Sequence, residues 1–263
     1  MTTNELTVTT KELSEEEYAD FFRCLNNLRE ICNDVDIRDG IVRQRSNDLT
    51  AIFELDMTSL LGNLNLPISN LNKKMDLLKT FFGQAVTIEV TEGANETESS
   101  FIVSDSQSSV KFLFPSLDFL DNKYLTEEEL NSIFNLEEDD MFLHCNMTSL
   151  MTERIKLVTT NFNTQALKIE LENDIATITA STQSKDQVAK FQTEIPLNIN
   201  FNGKYFSNVS TIPFSIEHEN NQLDFNMYKD PQQNISLNRI KTQLGPVDIN
   251  IYSRSSIMSD EDN

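Results

Sequence analysis

Apolar residues recur along this chain at two periods, near 3.6 and near 2, and the changes between them mark out helices and strands. A helix is predicted from Glu15 to Asn33. Phe21, Leu25, Leu28 and Cys32 fall there at helical spacing with Tyr18 and Phe22 beside them, while Glu16, Asp20, Arg23, Asn27 and Glu30 form a stripe expected to face water. Ser14 and Glu17 make a capping box, and Glu15, Glu16 and Glu17 suit the positive end of the helix dipole. Asp36 to Ser46 and Leu49 to Met57 read as extended segments around Ser46-Asn47-Asp48, a hairpin. A second helix is predicted from Ser69 to Phe82, with Leu71, Met75, Leu78 and Phe82 buried, Gly83 ending it and Lys73 pointing away from the stripe. Val86, Ile88 and Val90 then alternate with Thr87, Glu89 and Thr91. Val110, Phe112 and Phe114 alternate with Lys111 and Leu113, so strands lie on both sides of the polar loop GANETESS.

From Pro115 to Asp140 the pattern breaks. Nine acidic residues and the single Lys123 fall between Leu117 and Asp140, mixed with Leu117, Phe119, Leu120, Tyr124 and Leu125. Such a stretch suits a connector lying over a surface; a solvated linker with a short helix at Thr126 to Phe134 fits the same composition. Beyond it, Met141 to Met147 reads as a strand and Ser149 to Asn163 as a helix burying Met151, Ile155, Val158 and Phe162. Leu167, Ile169 and Leu171 alternate into a turn at Asn173-Asp174, and Ile175 to Gln183 continues as a strand. Phe191 to Asn200 is a strand, Asn202 to Ile212 a short weak helix, and Leu223 to Met227, Ile235 to Arg239 and Val247 to Tyr252 are three more strands. A local echo, Asp56-Met57-Thr58-Ser59-Leu60 against Asn146-Met147-Thr148-Ser149-Leu150, is too short to establish duplication. A length of 263 residues favours two domains, here 1–116 and 141–263, with 117–140 as the acidic connector.

Composition narrows the function. No run approaches a membrane-spanning length and the first residues lack the basic start and apolar core of a signal peptide, so the chain is expected in the cytoplasm, with no membrane partner. Cys24, Cys32 and Cys145 have no CxxC spacing and read as buried thiols. His144 and His218 have no motif partner, and the six glycines do not cluster, so no phosphate-cradling loop, nucleophile and base, or histidine metal site is visible. The carboxylate runs Glu127 to Glu129 and Glu137 to Asp140 read as solvated faces before they read as Mg²⁺ sites. No enzyme, cofactor or metal is expected.

The acid excess is large, 42 Asp and Glu against 21 Lys and Arg, and the formal charge is −21. Polyanion binding then requires a local concentration of cations. The second, third and fourth predicted helices carry Lys73, Lys74, Lys79, Arg154, Lys156 and Lys204 against Asp76 and Glu153. These are either a cationic surface or ordinary solubilising lysines.

Three segments complete the picture: AVTIEVTEG with SSFIVSDSQSSVKFLFP, the second-half run TSLMTERIKLVTTNFNTQALKIELENDIATITAST, and the closing NMYKDPQQNISLNRIKTQLGPVDINIYSRSSIMSDEDN. In element order and residue type they resemble sliding clamps, the processivity factors of DNA polymerases, most strongly those of tailed phages and more loosely proliferating-cell nuclear antigen. The resemblance implies an α+β fold of two similar domains, each a β-sheet layer with two helices on its inner face, closing into a homotrimeric ring around duplex DNA. It implies that Lys73, Lys74, Lys79, Arg154, Lys156 and Lys204 face the hole, with Arg23 and Arg29 poorly suited to it. Subunits would join through Val110, Lys111 and Phe112 on one strand and Ile178, Thr179 and Ala180 on another. Polymerase and clamp loader would dock by short peptides in a groove around Leu117, Leu120, Tyr124, Pro231, Tyr252 and Ser253. The alternatives are a non-enzymatic structural or assembly protein of a phage-like system, and an enzyme with a scattered carboxylate site.

Overall fold

The computed structural model describes residues 7–29, 31–47, 49–93, 99–115, 120, 124–134, 141–164, 166–172, 175–182, 184–194, 205–210, 223–229 and 235–258. They form two compact units. The first consists of Met1–Asn47, Phe53–Thr126 and Leu244–Asp248, the second of Asp48–Ile52, Glu127–Gln243 and Ile249–Asn263.

In the first unit β1 (Thr7–Leu13) leads into α1 (Glu15–Arg29). The capping box forms as its spacing predicts: Ser14 N–H donates to Glu17 Oε2 at 2.8 Å, and Glu17 N–H to Ser14 Oγ at 3.3 Å. α1 buries Tyr18, Phe21, Cys24, Leu25 and Leu28. The opposite stripe does not face water as expected, because Asp20 and Asn27 are buried and Arg23 is half-buried against Asp20. Its cover is the turn at Gly245, where an added Cβ would lie 2.2 Å from the Asp20 carboxylate. A segment arriving from the far end of the chain leaves no trace in the helix's own periodicity.

β2 (Val35–Arg38), β3 (Ile41–Arg45) and β4 (Ala51–Asp56) follow, so the segment read as one strand from Asp36 is itself a hairpin. Its turn residues Asp39 and Gly40 have φ of 50° and 75°, the left-handed pair that a two-residue hairpin turn takes to match strand twist. Only glycine fits at position 40, where a Cβ would stand 2.3 Å from Gly62 O. After α2 (Thr58–Leu61) and β5 (Leu66–Ile68), α3 (Leu71–Leu78) buries Leu71, Met75 and Leu78 and tightens into a 3₁₀ turn, Lys79–Phe81. Three residues per turn bring Phe81 into the core in place of the expected Phe82, which is 50% exposed. Tyr18 fastens α1 to α3: its hydroxyl donates to Leu78 O at 2.7 Å and its ring meets Phe81 edge-on. β6 (Val86–Glu92), β7 (Ser100–Ser104) and β8 (Ser109–Leu113) complete the unit, with Phe101 stacked on Phe112. Its sheets have the orders β1-β6-β7-β8 and β4-β3-β2-β5.

The second unit begins with α4 (Glu127–Ile133), whose last carbonyl, Ile133 O, accepts from Arg254 Nη2. β9 (Met141–Met147) then leads into α5 (Ser149–Phe162), capped by Thr148 Oγ1 on Met151 N–H and ended by Asn163 at φ 51°. Its buried positions are Thr152, Ile155 and Thr159; Met151, Val158 and Phe162 are only half-buried. The threonines tolerate burial because their hydroxyls donate to the helix's own carbonyls, Thr148 O and Lys156 O. β10 (Ala166–Glu172), β11 (Ile175–Ser181), β12 (Val188–Glu194) and β13 (Tyr205–Ser210) follow. The weak helix expected over 202–212 is therefore wrong within 205–210, where the chain is paired antiparallel to β10 from Tyr205↔Leu171 to Ser210↔Ala166. A long-range ladder overrides the weak local preference of a segment rich in Asn and Ser. β14 (Leu223–Lys229), β15 (Ile235–Leu244) and β16 (Val247–Met258) end the unit. The turn read at Asn173-Asp174 and the strand continuation over 195–200 lie outside the described residues.

The second unit has the strand orders β9-β14-β15-β16 and β12-β11-β10-β13, matching those of the first unit, and here the two sets are joined where β13 pairs with the end of β16, Phe206↔Met258 and Ser207↔Ile257. In that correspondence α1 and α5 match, each following the first strand of its unit. The place that α3 holds in the first unit corresponds to 211–222, between β13 and β14, which lie outside the described residues. The sequence echo does not mark this repeat: Asp56 to Leu60 follows β4 and Asn146 to Leu150 follows β9, strands that hold different places.

Candidate nucleic-acid interface and assembly edges

Two helices each carry two exposed cations, while Arg45, Lys111, Lys185, Lys190, Lys241 and Arg254 are exposed singly on strands and turns. In α3 the buried row Leu71, Met75 and Leu78 leaves Lys73 exposed, and Lys79 is exposed in the 3₁₀ turn. Lys74 departs from the expected set. It is half-buried, with Nζ 3.5 Å from Ser69 Oγ and 5.8 Å from the Phe112 ring centroid. Burial pushes its ammonium pKa down, against the attraction of Asp34. In α5 the inward row Thr152, Ile155 and Thr159 leaves Arg154 and Lys156 exposed. Lys204 lies outside the described residues. Sequence reasoning missed the apolar component of these faces: Leu77 is 47% exposed, Leu150 55% and Leu157 64%. Within α5 the neighbours of Leu150 and Leu157 at helical spacing, Glu153, Arg154, Thr160 and Asn161, are polar, which is the signal that could have found those two.

The assembly edges also differ from expectation. β8 is the last strand of its sheet and carries half-buried Val110, exposed Lys111 and buried Phe112. β11, however, is an interior strand. Ile178 pairs with both Ile169 of β10 and Phe191 of β12, and Thr179 with both Lys168 and Lys190. Its backbone groups are engaged on both sides, so Ile178, Thr179 and Ala180 offer no edge to another chain. The end strand of that sheet is β12. The strand expected over 191–200 overlaps β12, but periodicity does not show which of two successive strands ends the sheet.

Among the expected groove residues, Leu117 and Pro231 lie outside the described residues. Leu120 and Ser253 are buried, Tyr252 packs on Phe134 with centroids 5.3 Å apart, and half-buried Tyr124 lies under the Arg38 guanidinium at 4.4 Å. These described side chains make interior contacts. The first unit also holds a cleft of about 490 Å³ beside Asp36, Arg38, Glu92 and Phe114, in which Asp36 engages Arg38 and Glu92 accepts from Asn65. Among the described residues no three His, Cys, Asp or Glu side chains converge on a point that suits a metal ion, and no helix is long and apolar enough to cross a membrane.

Two units of like strand order, each with two sets of four strands and helices against them, have the arrangement of a sliding clamp, and the chain has that fold in its proliferating-cell-nuclear-antigen (PCNA) form. Solved PCNA structures superpose on nearly its whole length. The PCNA2–PCNA3 complex from Sulfolobus tokodaii matches with a TM-score of 0.60 and 12% identity over 94% of this chain and 99% of that one. PCNA from Entamoeba histolytica matches at 0.61 and 13% over 94% and 98%, and A. fulgidus PCNA bound to the C-terminal region of FEN-1 at 0.60 and 13% over 97% and 100%. No protein-family model and no curated protein matches the sequence.

Proposed function

We propose that this chain is the subunit of a sliding clamp, a non-enzymatic homotrimeric ring that encircles duplex DNA and confers processivity on a polymerase. The observation that carries this reading is the coverage of the fold: 94% or more of the chain follows 98% or more of each PCNA chain. In this reading 1–116 and 141–263 are the two clamp domains and 117–140 connects them. Exposed Lys73, Lys79, Arg154 and Lys156 meet phosphates loosely, without reading bases. Subunits join head to tail through β8 and β12, which end their sheets among the described residues, since closing a ring pairs both edges. Polymerase and loader engage by short peptide segments, and tethering raises the polymerase's effective concentration at the primer end.

Topology provides the test. Protein loaded on nicked circular duplex should co-elute with the DNA through gel filtration at physiological salt and leave it when the circle is linearised. Equal retention on circular and linear DNA, or none on either, overturns the encircling mechanism. Light scattering should give about three subunits per particle, the closed ring that heterologous interfaces form when their rotation is one third of a turn.

A further inference from the structure

We infer that β8 of one copy pairs with β12 of the next in a single antiparallel register, Lys111 opposite Gln192 and Phe112 opposite Phe191. This rests on the ring reading above and goes beyond it by fixing which residues of the two copies meet.

The first constraint is the direction of the unused backbone groups. Phe114 N–H donates to Ser99 O and Asp105 N–H to Ser108 O, both pairs in line with the β7–β8 register. In an antiparallel ladder bonded pairs recur every second residue, so Ser108, Val110, Phe112 and Phe114 spend their groups on β7. Ser109, Lys111 and Leu113 therefore direct theirs outward. On the other edge Thr182 N–H donates to Gln187 O, in line with the β11–β12 register. By the same alternation Ala189 and Phe191 face β11, and Val188, Lys190, Gln192 and Glu194 direct their groups outward.

The second constraint is the side-chain face. Phe112 and Val110 lie opposite buried Phe101 and Val103, and Phe191 and Ala189 lie opposite buried Ile178 and Ala180. A slip of one residue would set one strand's core face against the other's solvent face. Both constraints select the same set: each odd-numbered residue of β8 opposite an even-numbered residue of β12. The agreement is a check, because bond direction and burial are separate observations.

Only two such registers engage all five residues of β8 with β12. One sets Leu113 opposite Val188 and Lys111 opposite Lys190. The other sets Leu113 opposite Lys190, Lys111 opposite Gln192, Phe112 opposite Phe191 and Ser109 opposite Glu194. Lys111 and Lys190 are both exposed, and like charges directly opposite destabilise a pair, whereas aromatic pairs stabilise it. The second register also lays the lysine stem over Leu113, which is 63% exposed on its own edge. Charge and packing both select it.

The two registers give different disulfides. Val110 is a non-bonded position, where facing Cα atoms approach to about 4.5 Å, within disulfide reach. Protein carrying V110C with T193C, mildly oxidised, should yield covalently linked dimers and trimers on a non-reducing gel. V110C with F191C, and V110C alone, should yield at least tenfold less. Linkage through F191C in preference to T193C overturns the register while leaving the ring intact. Absence of linkage in both double variants overturns it too, and light scattering of the reduced proteins then separates the causes: trimers place the contact on other strands, monomers remove the ring reading itself.

Discussion

Phe81 and Phe82 are adjacent and identical in chemistry, yet the tightening of the helix end gives them opposite environments. Phe81 is fully buried against Tyr18, and Phe82 is half exposed beside Phe22. Phe81→Ala should lower unfolding free energy by about 3–5 kcal/mol, the usual loss for a buried aromatic, and Phe82→Ala by less than about 1.5 kcal/mol. Chemical denaturation of the two variants checks the order; equal losses would mean that the helix runs on at 3.6 residues per turn. The sequence periodicity located the helix and the row Leu71, Met75 and Leu78, because that row repeats within the element. It misplaces the last apolar position, because the switch to three residues per turn occurs where Phe81 meets Tyr18 of another helix, a contact that local spacing does not show. Lys74 was misjudged for the same kind of reason. Its neighbours Ser69, Asp34 and Phe112 come from other elements, and local spacing cannot show that a long lysine stem folds back among them.

At the scale of elements, local signals were reliable and counts of strands were not. The Ser14–Glu17 box is such a signal, and it holds α1 at its start. Ser14→Ala should destabilise the protein by about 1 kcal/mol. Glu17's carboxyl is held below its ordinary range, first by the Ser14 backbone N–H and then by its hydroxyl. The folded state therefore gains stability from this group above the ordinary glutamate range and loses it as pH falls through the lowered folded value. Glu17→Gln keeps the box and removes the titration. The stability gap between the parent and this variant should be widest near neutral pH and shrink on acidification, as thermal melts across that range would show. A gap independent of pH would assign the effect to packing. By contrast, the strand expected over 191–200 overlaps β12, yet nothing local reveals that it pairs with β11 and takes the edge from it. The Asp39-Gly40 turn was legible, since Asp-Gly between apolar runs is a strong hairpin signal, but it was absorbed into a longer extended segment. The repeated strand order of the two units has almost no counterpart in residue identity, as expected where many sequences satisfy one alternation of buried and exposed positions.

For the whole molecule the controlling quantity is charge. A chain of formal charge −21 approaches DNA against its own field, so contact is favoured only where cations are concentrated and exposed. Lys73 and Lys79 on one helix and Arg154 and Lys156 on another meet that condition; Lys74, turned inward, does not. On the clamp proposal the contacts are weak as well as cationic, because a ring that held one register of phosphates would not slide, and exposed lysines on flexible stems supply attraction without fixed geometry. Leu77, Leu150 and Leu157 add to this by interrupting the charged faces with groups that cannot bond to phosphate. Lys73→Glu, Lys79→Glu and Lys156→Glu combined should leave the fold and the trimer unchanged, since all three side chains are exposed. Polymerase stimulation on primed circles should nevertheless fall by at least tenfold at physiological salt. The parent should lose stimulation steeply as salt rises and the triple variant should begin lower, because each phosphate contact removed takes with it the counterions it released. Stimulation equal to the parent across the salt series would exclude these helices from the DNA-facing surface, and a circle-retention assay on the same variant would then show whether the ring still encircles DNA through another face.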